Sequence, residues 1–370
     1  MQLVAYGAQD IYLTGNPQIT FFKVVYRRHT NFSMEAIEQT FNGTADFGRK
    51  VSVTVSRNGD LVHKCLLRAT LPTPADGTGS YIKEVGHYLI KSVEVEIGGQ
   101  KIDKHYGHWL SIWSDLSTPA GKKSLYNSHM VGASSDNEYV VNVPLQFWFC
   151  RHAGLALPLI ALQYHEVKFN MEFESLSYLQ VAGSTFSGSL SDVSLYVDYI
   201  YLDTEERRRF AQISHEYLIE QLQFTGDESI SSNSRVKLNF NHPVKELIWV
   251  LLDSANDAQS TRNAYNNYAA MTSAKLQLNG HDRFSERQRD FFRYVQPFQH
   301  HTNIPTKEVN LYSFALKPEE QQPSGSANMS RIDNATLQIT QDGAENIKIF
   351  ATNYNVLRIM SGMGGLAYSN

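Results

Sequence analysis

Short runs in which apolar and polar residues alternate recur along the whole chain. In residues 193–201, Val193, Leu195 and Val197 share one face, whereas Ser194 and Asp198 point to the other. This two-residue period is typical of a β-strand with one buried face. In the first half it predicts strands at 19–26, 50–56, 61–71, 88–97, 139–149, 156–162, 165–173 and 191–202. In the second half it predicts strands at 217–225, 235–241, 244–252, 273–278, 309–316, 332–340, 347–352 and 354–360.

One hairpin pattern occurs twice. Residues 93–102 read VEVEIGGQKI and residues 274–284 read AKLQLNGHDRF, each an alternating strand, a two-residue turn and a polar return. Gly-Gly and Asn-Gly turns favour tight β-hairpins. Three further pairs of runs follow in the same order: Val51-Val53-Val55 with Val236-Leu238-Phe240, Val143-Leu145 with Val309-Leu311, and Val167-Phe169-Met171 with Ala335-Leu337-Ile339. An internal repeat of this kind predicts one β domain built twice.

Length agrees with two domains, because 370 residues exceed the size at which one hydrophobic core stops growing. About eight short antiparallel strands around each core predict a jelly roll, and an immunoglobulin-like sandwich with fewer strands is the alternative. A linker helix is predicted after Asp203, which can cap it, with Glu206 at the capping-box position. We therefore expect an N-terminal arm or first strand at 1–30, a first jelly-roll domain with the linker helix at 31–209, and a second at 210–370.

Composition narrows the class of protein. Hydrophobic residues make up 42% of the chain and charged residues 19%, which suits packed sheets and argues against disorder. The net charge of -4 gives no general basic footprint for nucleic acid, so no direct nucleic-acid partner is expected. No apolar run approaches the ~18 residues that a membrane helix needs, and the N-terminus lacks the features of a signal peptide. We expect a soluble, non-secreted protein.

Thirteen histidines raise the question of a metal site. His105 with His108, and His300 with His301, are the best-spaced pairs. Neither pair has a cysteine or a carboxylate at the spacing typical of metal ligands. The chain also lacks a phosphate loop, a nucleophile elbow and paired C-x-x-C motifs. No metal and no cofactor are therefore expected.

Two carboxylates and two cysteines are the remaining candidates for chemistry. Glu172 and Glu174 share a face of one predicted strand and could flank a glycosidic bond, although edge-strand charge that blocks aggregation explains them as well. Cys65 and Cys150 lie in apolar runs and fit small buried side chains in a reducing compartment. Without a catalytic constellation, the sequence predicts a structural protein and no catalytic residues.

Four N-x-S/T sequons are candidate glycosylation sites, at Asn31, Asn42, Asn328 and Asn334. Such three-residue motifs often arise by chance, and a non-secreted chain does not meet the usual glycosylation machinery. The unmodified state is therefore the favoured interpretation.

The first thirty residues allow two interpretations. Phe21, Phe22, Val24 and Val25 form an adjacent apolar run rather than an alternation, and the basic segment 27–29 follows. A first strand buried within its own barrel has both faces covered and would show this pattern. A segment outside the barrel that clamps onto a neighbour or toward a particle interior would show it too.

Long ordered segments then resemble one family. They are GAQDIYLTGNPQITFFKVVYRRHTNFS at 7–33, DTEERRRFAQISHEYLIEQ at 203–221, QPFQHHTNIP at 296–305, YSFALKPEEQQPSGSANMSRIDNATL at 312–337 and NYNVLRIMSGMGGLAYSN at 353–370. They closely resemble the major capsid protein of nucleocytoplasmic large DNA viruses, the iridovirus, phycodnavirus and mimivirus-like groups. The resemblance spans the chain and implies an all-β double jelly roll, two eight-stranded antiparallel barrels.

The same resemblance implies a function and partners. It predicts a homotrimer with a pseudo-hexagonal outline that tiles an icosahedral virion shell assembled in the host cytoplasm. The implied partners are neighbouring capsomers, minor capsid and penton proteins and, indirectly, an internal virion membrane. A scaffold or minor capsid paralogue on the same fold is one alternative, and a carbohydrate-binding or carbohydrate-cleaving jelly-roll protein is another.

Loop length is where the chain departs from many members of this family. Relatives carry longer loops that rise as towers on the outer face, whereas the predicted loops here are modest. The segment DSANDAQSTRNAYNNY from Asp253 to Tyr268 is the most polar and least patterned. We assign it to the exposed outer surface.

Overall fold

The computed structural model describes residues 5–74, 79–181, 183–252, 268–344 and 346–368. Within these residues the strands form four sheets, two from residues 32–202 and two from residues 215–366. The paired strands run antiparallel. The predicted all-β class is confirmed, and each half of the chain builds a sandwich of two sheets.

The first sandwich encloses one hydrophobic core. In chain order its strands are β1 (Phe32–Gln39), β2 (Lys50–Thr54), β3 (Leu61–Thr70), β4 (Ile90–Ile97), β5 (Gln100–Tyr106), β6 (Val140–Pro144), β7 (Leu157–Pro158), β8 (Val167–Phe173) and β9 (Ser191–Leu202). One sheet has the order β1-β9-β3-β6, with β7 also paired to β3, and the other has the order β2-β8-β4-β5. Both sheets supply buried side chains to the same core, among them Leu67, Phe169 and Val197.

The second sandwich has the same plan. Its strands are β10 (His215–Ser229), β11 (Asn233–Lys237), β12 (Pro243–Leu252), β13 (Tyr268–Ala269), β14 (Met271–Leu278), β15 (His281–Asp282), β16 (Arg287–Gln288), β17 (Asn310–Ser313), β18 (Ala327–Asn328), β19 (Ala335–Gln341), β20 (Asn346–Met360) and β21 (Met363–Leu366). The first sheet runs β10-β20-β12-β13, with β17 and β18 on β12 and β21 on β20. The other runs β11-β19-β14-β15, with β16 on β14, and Trp249, Leu276 and Leu337 lie in the core.

The order β11-β19-β14-β15 repeats the order β2-β8-β4-β5, as the internal repeat predicts. In both hairpins the turn is two residues long, because Ile97 pairs with Gln100 and Leu278 pairs with His281. The turn residues 98–99 have φ of 57° and 84°, and residues 279–280 have φ of 52° and 79°. Both positions of such a turn need positive φ, which Gly and Asn tolerate, so the two-residue turn signal is read correctly in both halves.

Helices connect and join the sheets. They are α1 (Ile11–Thr14), α2 (Val85–Leu89), α3 (Gly107–Ser117), α4 (Ala120–Leu125), α5 (Trp148–Arg151), α6 (Leu176–Leu179), α7 (Thr204–Gln212) and α8 (Gln296–His300). Two π-helical turns span Tyr126–Met130 and Phe291–Val295, and 3-10 turns span Ser135–Asn137, Ala153–Leu155 and Met329–Arg331. The predicted linker helix is α7, where the Asp203 carboxylate accepts the N–H of Thr204 at 2.6 Å.

Helix α3 belongs to the first half in sequence but packs into the second. Trp109 and Trp113 share one buried cluster with Ile248, Val309 and Phe350 of the second half. In the opposite direction, Leu357 and Ile359 at the end of β20 join the core of the first sandwich. Each half therefore contributes apolar side chains to a buried cluster that contains residues of the other half.

Several sequence predictions of strands were wrong. Residues 19–26 form no strand, and their apolar side chains are exposed, so the first strand is β1, which begins at Phe32. Residues 148–149, the end of the predicted strand 139–149, belong to α5 (Trp148–Arg151) instead. Consecutive buried apolar residues such as those of α5 do not distinguish a strand from a short helix by periodicity. The predicted strand 156–162 shrinks to the two residues of β7.

The last two predicted strands are one. Strand β20 continues through Asn353, the residue that separates the predicted strands 347–352 and 354–360. Asn353 and Asn355 are buried, and the Asn355 amide donates to Gln221 Oε1 at 3.0 Å. Residues 253–267 of the predicted outer loop Asp253 to Tyr268 lie outside the described residues. Its last residue, Tyr268, is buried at the start of β13, so the assignment to the outer surface is wrong for that residue.

Candidate functional site and assembly surfaces

A buried ion pair joins the two halves. Lys307 Nζ lies 2.6 Å from Glu84 Oε2, and both side chains are almost completely buried. Ser111 on α3 donates its hydroxyl to the same Glu84 oxygen at 2.7 Å. Burial alone would lower the pKa of Lys307, but attraction to Glu84 outweighs it and the pKa is raised. The pair is therefore charged, and it links α2 and α3 to the segment that precedes β17.

Asp115 extends this link. Its Oδ2 accepts the N–H of Thr306 at 2.7 Å and the N–H of Lys307 at 3.2 Å, and its Oδ1 pairs with Lys123. Burial would raise the pKa of Asp115, yet the neighbouring Lys307 and Lys123 lower it. One carboxylate on α3 thus satisfies two backbone donors of the second half. We refer to Glu84, Ser111, Asp115, Thr306 and Lys307 as the interhalf lock.

A second buried charge network lies inside the second half. His301 Nε2 is 2.7 Å from Glu246 Oε2, and His301 Nδ1 is 2.8 Å from Glu319 Oε1. Burial would lower the pKa of His301, but Glu246 and Glu319 raise it to about 9. An imidazolium that donates from both ring nitrogens has no lone pair left for a metal. His300 differs, since its Nδ1 contacts the carbonyl oxygen of Leu316 at 3.0 Å.

The other histidine pair is also divided between separate contacts. His105 Nε2 lies 2.9 Å from Asp103 Oδ2 and its ring stacks on Phe147 at 4.5 Å. His108 Nδ1 lies 3.0 Å from the Tyr268 hydroxyl. Neither histidine pair is assembled with carboxylates or thiols into a ligand set, and the described residues contain no group of three or more such side chains that could hold a metal.

The remaining candidates for chemistry lie apart. Glu172 pairs with Lys91 at 2.9 Å and Lys50 at 3.3 Å. Burial would raise the pKa of Glu172, but the two lysines lower it, which is the opposite of what a general acid needs. The Glu174 carboxylate accepts the N–H of Ser175 at 3.0 Å. Cys65 and Cys150 are free thiols buried in the first core.

The first segment of the chain lies on the outside. We call residues 5–30 the arm; it contains only the short helix α1, and Phe22 is 97% exposed. Its other apolar side chains, among them Phe21, Val25 and Tyr26, are exposed to a similar degree. A contiguous apolar surface of this kind marks an interaction site in soluble proteins. Among the described residues no helix is long and apolar enough to cross a membrane.

A smaller apolar surface lies on the flank of the second half. Phe298 on α8 is 76% exposed and Leu316 is 73% exposed. His300 connects the two segments through its hydrogen bond to Leu316. Val295, one turn before Phe298, is also exposed. We call Val295, Phe298 and Leu316 the flank patch.

Two family models match the two halves of the chain. One, described as the major capsid protein N-terminus, matches residues 20–203, and the other, described as the large eukaryotic DNA virus major capsid protein, matches residues 206–365. The major capsid protein of Pyramimonas orientalis virus is 57% identical over 404 aligned positions, which cover 100% of this chain and 99% of the relative. The chain belongs to the major capsid proteins of large eukaryotic DNA viruses.

Solved structures resemble this capsid protein over almost its whole length. One is the structure of PBCV-1 VP54 fitted into a reconstruction of the virophage Sputnik, which has 41% sequence identity to this chain and a TM-score of 0.86. The match covers 95% of this chain and 100% of the VP54 chain. The quasi-atomic model of the PBCV-1 virus capsid is 39% identical, with a TM-score of 0.83 and the same coverage. The predicted double jelly roll and the predicted role as a structural protein of the virion shell are confirmed, as is assembly of copies with one another.

The four sequon asparagines of this capsid protein, Asn31, Asn42, Asn328 and Asn334, are all exposed. Asn42 also forms an isolated bridge with Ser52, donating its N–H at 2.7 Å. Asn328 caps the following 3-10 turn by accepting the N–H of Ser330. Exposure makes modification sterically feasible, and the unmodified state stays the prediction.

Sequence reasoning missed the interhalf lock. Glu84, Asp115 and Lys307 are far apart along the chain, and nothing in their local context distinguishes them from surface charges. A signal for α3 did exist, because Trp109, Trp113 and Leu116 recur at helical spacing in residues 107–117. The pattern shows an apolar helix but does not show that its partner lies in the second half.

Proposed function

We propose that this capsid protein assembles as a homotrimer with a pseudo-hexagonal outline that tiles an icosahedral shell. One observation carries the proposal: each chain contains two sandwiches with the same strand order, and a buried helix and a buried ion pair join them. Three such chains around a three-fold axis present six similar corners. A trimer can then fill a lattice position with six neighbours while its own symmetry stays closed.

The flank patch supports contact between copies. Phe298 and Leu316 expose large apolar side chains beside the buried His301 network, so the backbone beneath them is held by ion pairs. Protein interfaces concentrate aromatic and apolar side chains in such supported positions. We place the contact between neighbouring copies of the trimer at this patch.

The domain division follows the same plan. We propose an arm at 1–30, a first jelly-roll domain with the linker helix at 31–209 and a second at 210–370. In support, β9 ends at Leu202, β10 begins at His215, and α7 lies between them. The two family models also divide the chain between residues 203 and 206.

The role we propose is wholly structural. Neighbouring capsomers, minor capsid and penton proteins are the proposed partners, with indirect contact to an internal membrane, no direct contact with nucleic acid, and assembly in the host cytoplasm. A net charge of -4 supports the exclusion of nucleic acid. The salt-bridged Glu172 and the divided histidine pairs support the absence of catalysis.

Multi-angle light scattering of the purified full chain tests the proposal. A trimer gives three times the chain mass of 41.9 kDa. Phe298→Asp should shift the mass toward the monomer, since it places a charge in the apolar contact. The matched control is Leu125→Asp on α4, a site that is 66% exposed and outside the flank patch. A stable monomer of the unmodified chain at micromolar concentration would contradict the proposal.

A further inference from the structure

Two buried thiols lie together in the core of the first sandwich. Cys65 is on β3 and Cys150 is on α5, and both belong to one cluster of packed side chains. Helix α5 is held on β3 beside them, because His63 Nδ1 lies 2.7 Å from the carbonyl oxygen of Phe149, the residue before Cys150. The Cys65 thiol is hydrogen-bonded to Cys150. We call Cys65 and Cys150 the thiol pair.

Helix α5 also contacts the second half of the chain. Arg151 Nη1 lies 3.0 Å from Glu220 Oε2 on β10, and the Arg151 guanidinium lies over the ring of Trp113 on α3, 4.1 Å from its centre. Glu220 in turn pairs with the buried Lys245 at 2.7 Å. A bond that fixes α5 on β3 therefore also fixes the position from which Arg151 reaches the second sandwich.

A virion shell protein meets two different redox environments. Thiols are kept reduced inside cells, whereas disulfides form and persist on virion surfaces. A disulfide requires its two side chains to approach each other closely, and the hydrogen-bonded thiol pair already does so. The chain contains no other cysteine, so only one pairing within a single copy exists.

We propose that the thiol pair is an oxidation site, at which a hydroperoxide outside the host cell converts Cys65 and Cys150 of one copy into a disulfide. The inference goes beyond the proposed trimer and does not depend on it, since both thiols lie in one chain. The bond joins positions 65 and 150 and closes a long loop, which restricts the unfolded chain more than the folded one. The released shell protein is therefore more resistant to unfolding than the same protein inside the cell.

The oxidation begins at Cys150, the more exposed thiol, at 8% against 2% for Cys65. The Cys150 thiolate attacks one oxygen of hydrogen peroxide, the O–O bond breaks, and the hydroxide that leaves combines with the proton lost from Cys150 as water. Cys150 is now a sulfenic acid. The Cys65 sulfur attacks the Cys150 sulfur, the S–O bond breaks, and the departing hydroxide takes the Cys65 proton as a second water. Two electrons pass from the two sulfurs to the peroxide.

The order of these steps follows from the environment of Cys65. Burial raises the pKa of the Cys65 thiol, and the hydrogen bond to Cys150 raises it further. A thiol that stays protonated reacts slowly with peroxide, because the thiolate is the nucleophile. Cys65 therefore reacts with the neighbouring sulfenic acid, to which it is already oriented, rather than with peroxide itself.

Peroxide treatment of the purified, reduced full chain tests the proposal. Non-reducing peptide mapping by mass spectrometry should find the peptides of Cys65 and Cys150 joined, with the loss of two hydrogen atoms from the chain. The oxidised chain should melt about 5 °C or more above the reduced chain, because the long loop is closed. Dithiothreitol should reverse both changes.

Two variants test the order of the steps. Cys65→Ala should leave a sulfenic acid on Cys150, where dimedone traps it, and peroxide should not raise its melting temperature. Cys150→Ala should leave Cys65 unmodified over the same time. Both variants keep the eight methionines, so they also measure any effect of methionine oxidation on melting. The peptide map of the unmodified chain does not depend on how these variants fold.

Denaturing lysis in N-ethylmaleimide compares the two environments. Chains from released particles should carry the disulfide, and chains from inside the host cell should carry two alkylated thiols. Alkylated thiols in released particles would overturn the proposal. So would sulfinic acid, unreacted thiols or disulfides between two chains after peroxide treatment, or a disulfide that leaves the melting temperature unchanged. Light scattering of the same samples keeps the proposed trimer separate, because a monomer with the disulfide would contradict the trimer alone.

Discussion

At the residue scale, the buried charges between the halves constrain the structure most. Lys307 and Glu84 are buried together, Ser111 donates its hydroxyl to Glu84, and the Asp115 carboxylate accepts the backbone N–H of Lys307. Such a pair adds little net stability compared with an apolar substitute, but removing one partner strands the other charge. The main effect of the interhalf lock is therefore to specify how the two halves fit together. Its net contribution to stability is small.

Lys307→Met should lower the free energy of unfolding by about 3–5 kcal/mol, because it leaves Glu84 ionised and buried without a partner. Adding Glu84→Gln should recover part of this loss, since the stranded charge is removed. Denaturant unfolding of the two variants measures both effects. The matched control is Lys317→Met, because Lys317 and Glu320 form an exposed ion pair of the kind that contributes at most about 1 kcal/mol. Equal stabilities for Lys307→Met and the control would contradict the interhalf lock.

His301 should make the free energy of unfolding depend on pH in the neutral to alkaline range. Its folded pKa of about 9 exceeds the ordinary value of 6.5. The folded chain therefore holds a proton that the unfolded chain releases at lower pH. The contribution is complete below about pH 6.5 and is lost as the pH rises through about 9, and it amounts to something on the order of 3 kcal/mol.

Unfolding of the unmodified chain and of His301→Gln at about pH 6 and about pH 9.5 measures this dependence. The difference in unfolding free energy between the two proteins should be largest at the lower pH and should shrink at the higher pH. His300→Gln is the control, because the His300 ring contacts the Leu316 carbonyl rather than a carboxylate. A difference that grows with pH would show that the sign of the pKa shift is wrong.

Few of these contacts between individual side chains could be predicted from the sequence. His301 was a candidate because it is adjacent to His300, and the sequence gives no hint that Glu246 and Glu319 flank it. Those partners come from β12 and from a loop, and only folding brings them within 3 Å of the imidazole. Pairs formed by long-range contacts leave no local pattern.

At the element scale, α3 joins the two sandwiches. Trp109 is completely buried among side chains of both halves, stacked near Trp113 at 5.6 Å and Phe350 at 5.6 Å. The two halves have separate cores, and this helix joins them by packing apolar side chains of the first half against β12, β17 and β20. Loss of the α3 packing should therefore separate the two halves before either sandwich unfolds.

Trp109→Ala should cost about 3–5 kcal/mol, because it leaves a large cavity that the sheets cannot fill. The exposed arginines of α7 lie between the halves, and trypsin should cut there much faster in the variant than in the unmodified chain. Trp109→Phe is the control and should be tolerated better, because it keeps most of the side-chain volume and removes a buried indole N–H that has no acceptor among the residues the structure describes. Unchanged proteolysis of Trp109→Ala would rule out the joining role of α3.

The C-terminal tail should be essential for folding of the first half as well as the second. Val356 to Met360 complete β20, and Leu357 and Ile359 enter the first core. Deletion of residues 356–370 should give insoluble protein or one without a cooperative melt. Deletion of residues 367–370 should spare the fold, because β21 ends at Leu366. A soluble, cooperatively melting chain that lacks 356–370 would contradict this.

Most strands could be predicted, because alternation and two-residue turns are local. The prediction for β9 matches the structure at both ends, and both hairpins follow the Gly-Gly and Asn-Gly signals. The errors arise where an apolar run has another cause: residues 19–26 are exposed on the arm and 148–150 are buried in α5. An apolar run in the sequence therefore indicates apolar side chains, but it does not show whether they lie in a strand, in a helix or on the surface.

At the scale of the whole molecule, two features decide what this capsid protein can do. The strand order repeats between the halves, and α3 with the interhalf lock fixes the relative position of those halves. A chain with two similar lobes held at a fixed angle has reproducible sides. The arm and the flank patch supply the exposed apolar surfaces through which such sides can meet. A shell lattice requires both properties and no active site.

Negative-stain imaging of the purified full chain tests this central claim most directly. The account predicts three-fold particles whose outline is close to hexagonal, with six lobes of similar size, because each of three chains contributes two sandwiches. Particles with three lobes, or single chains with two lobes at variable angles, would contradict the claim that the two halves act as one rigid unit in a pseudo-hexagonal trimer.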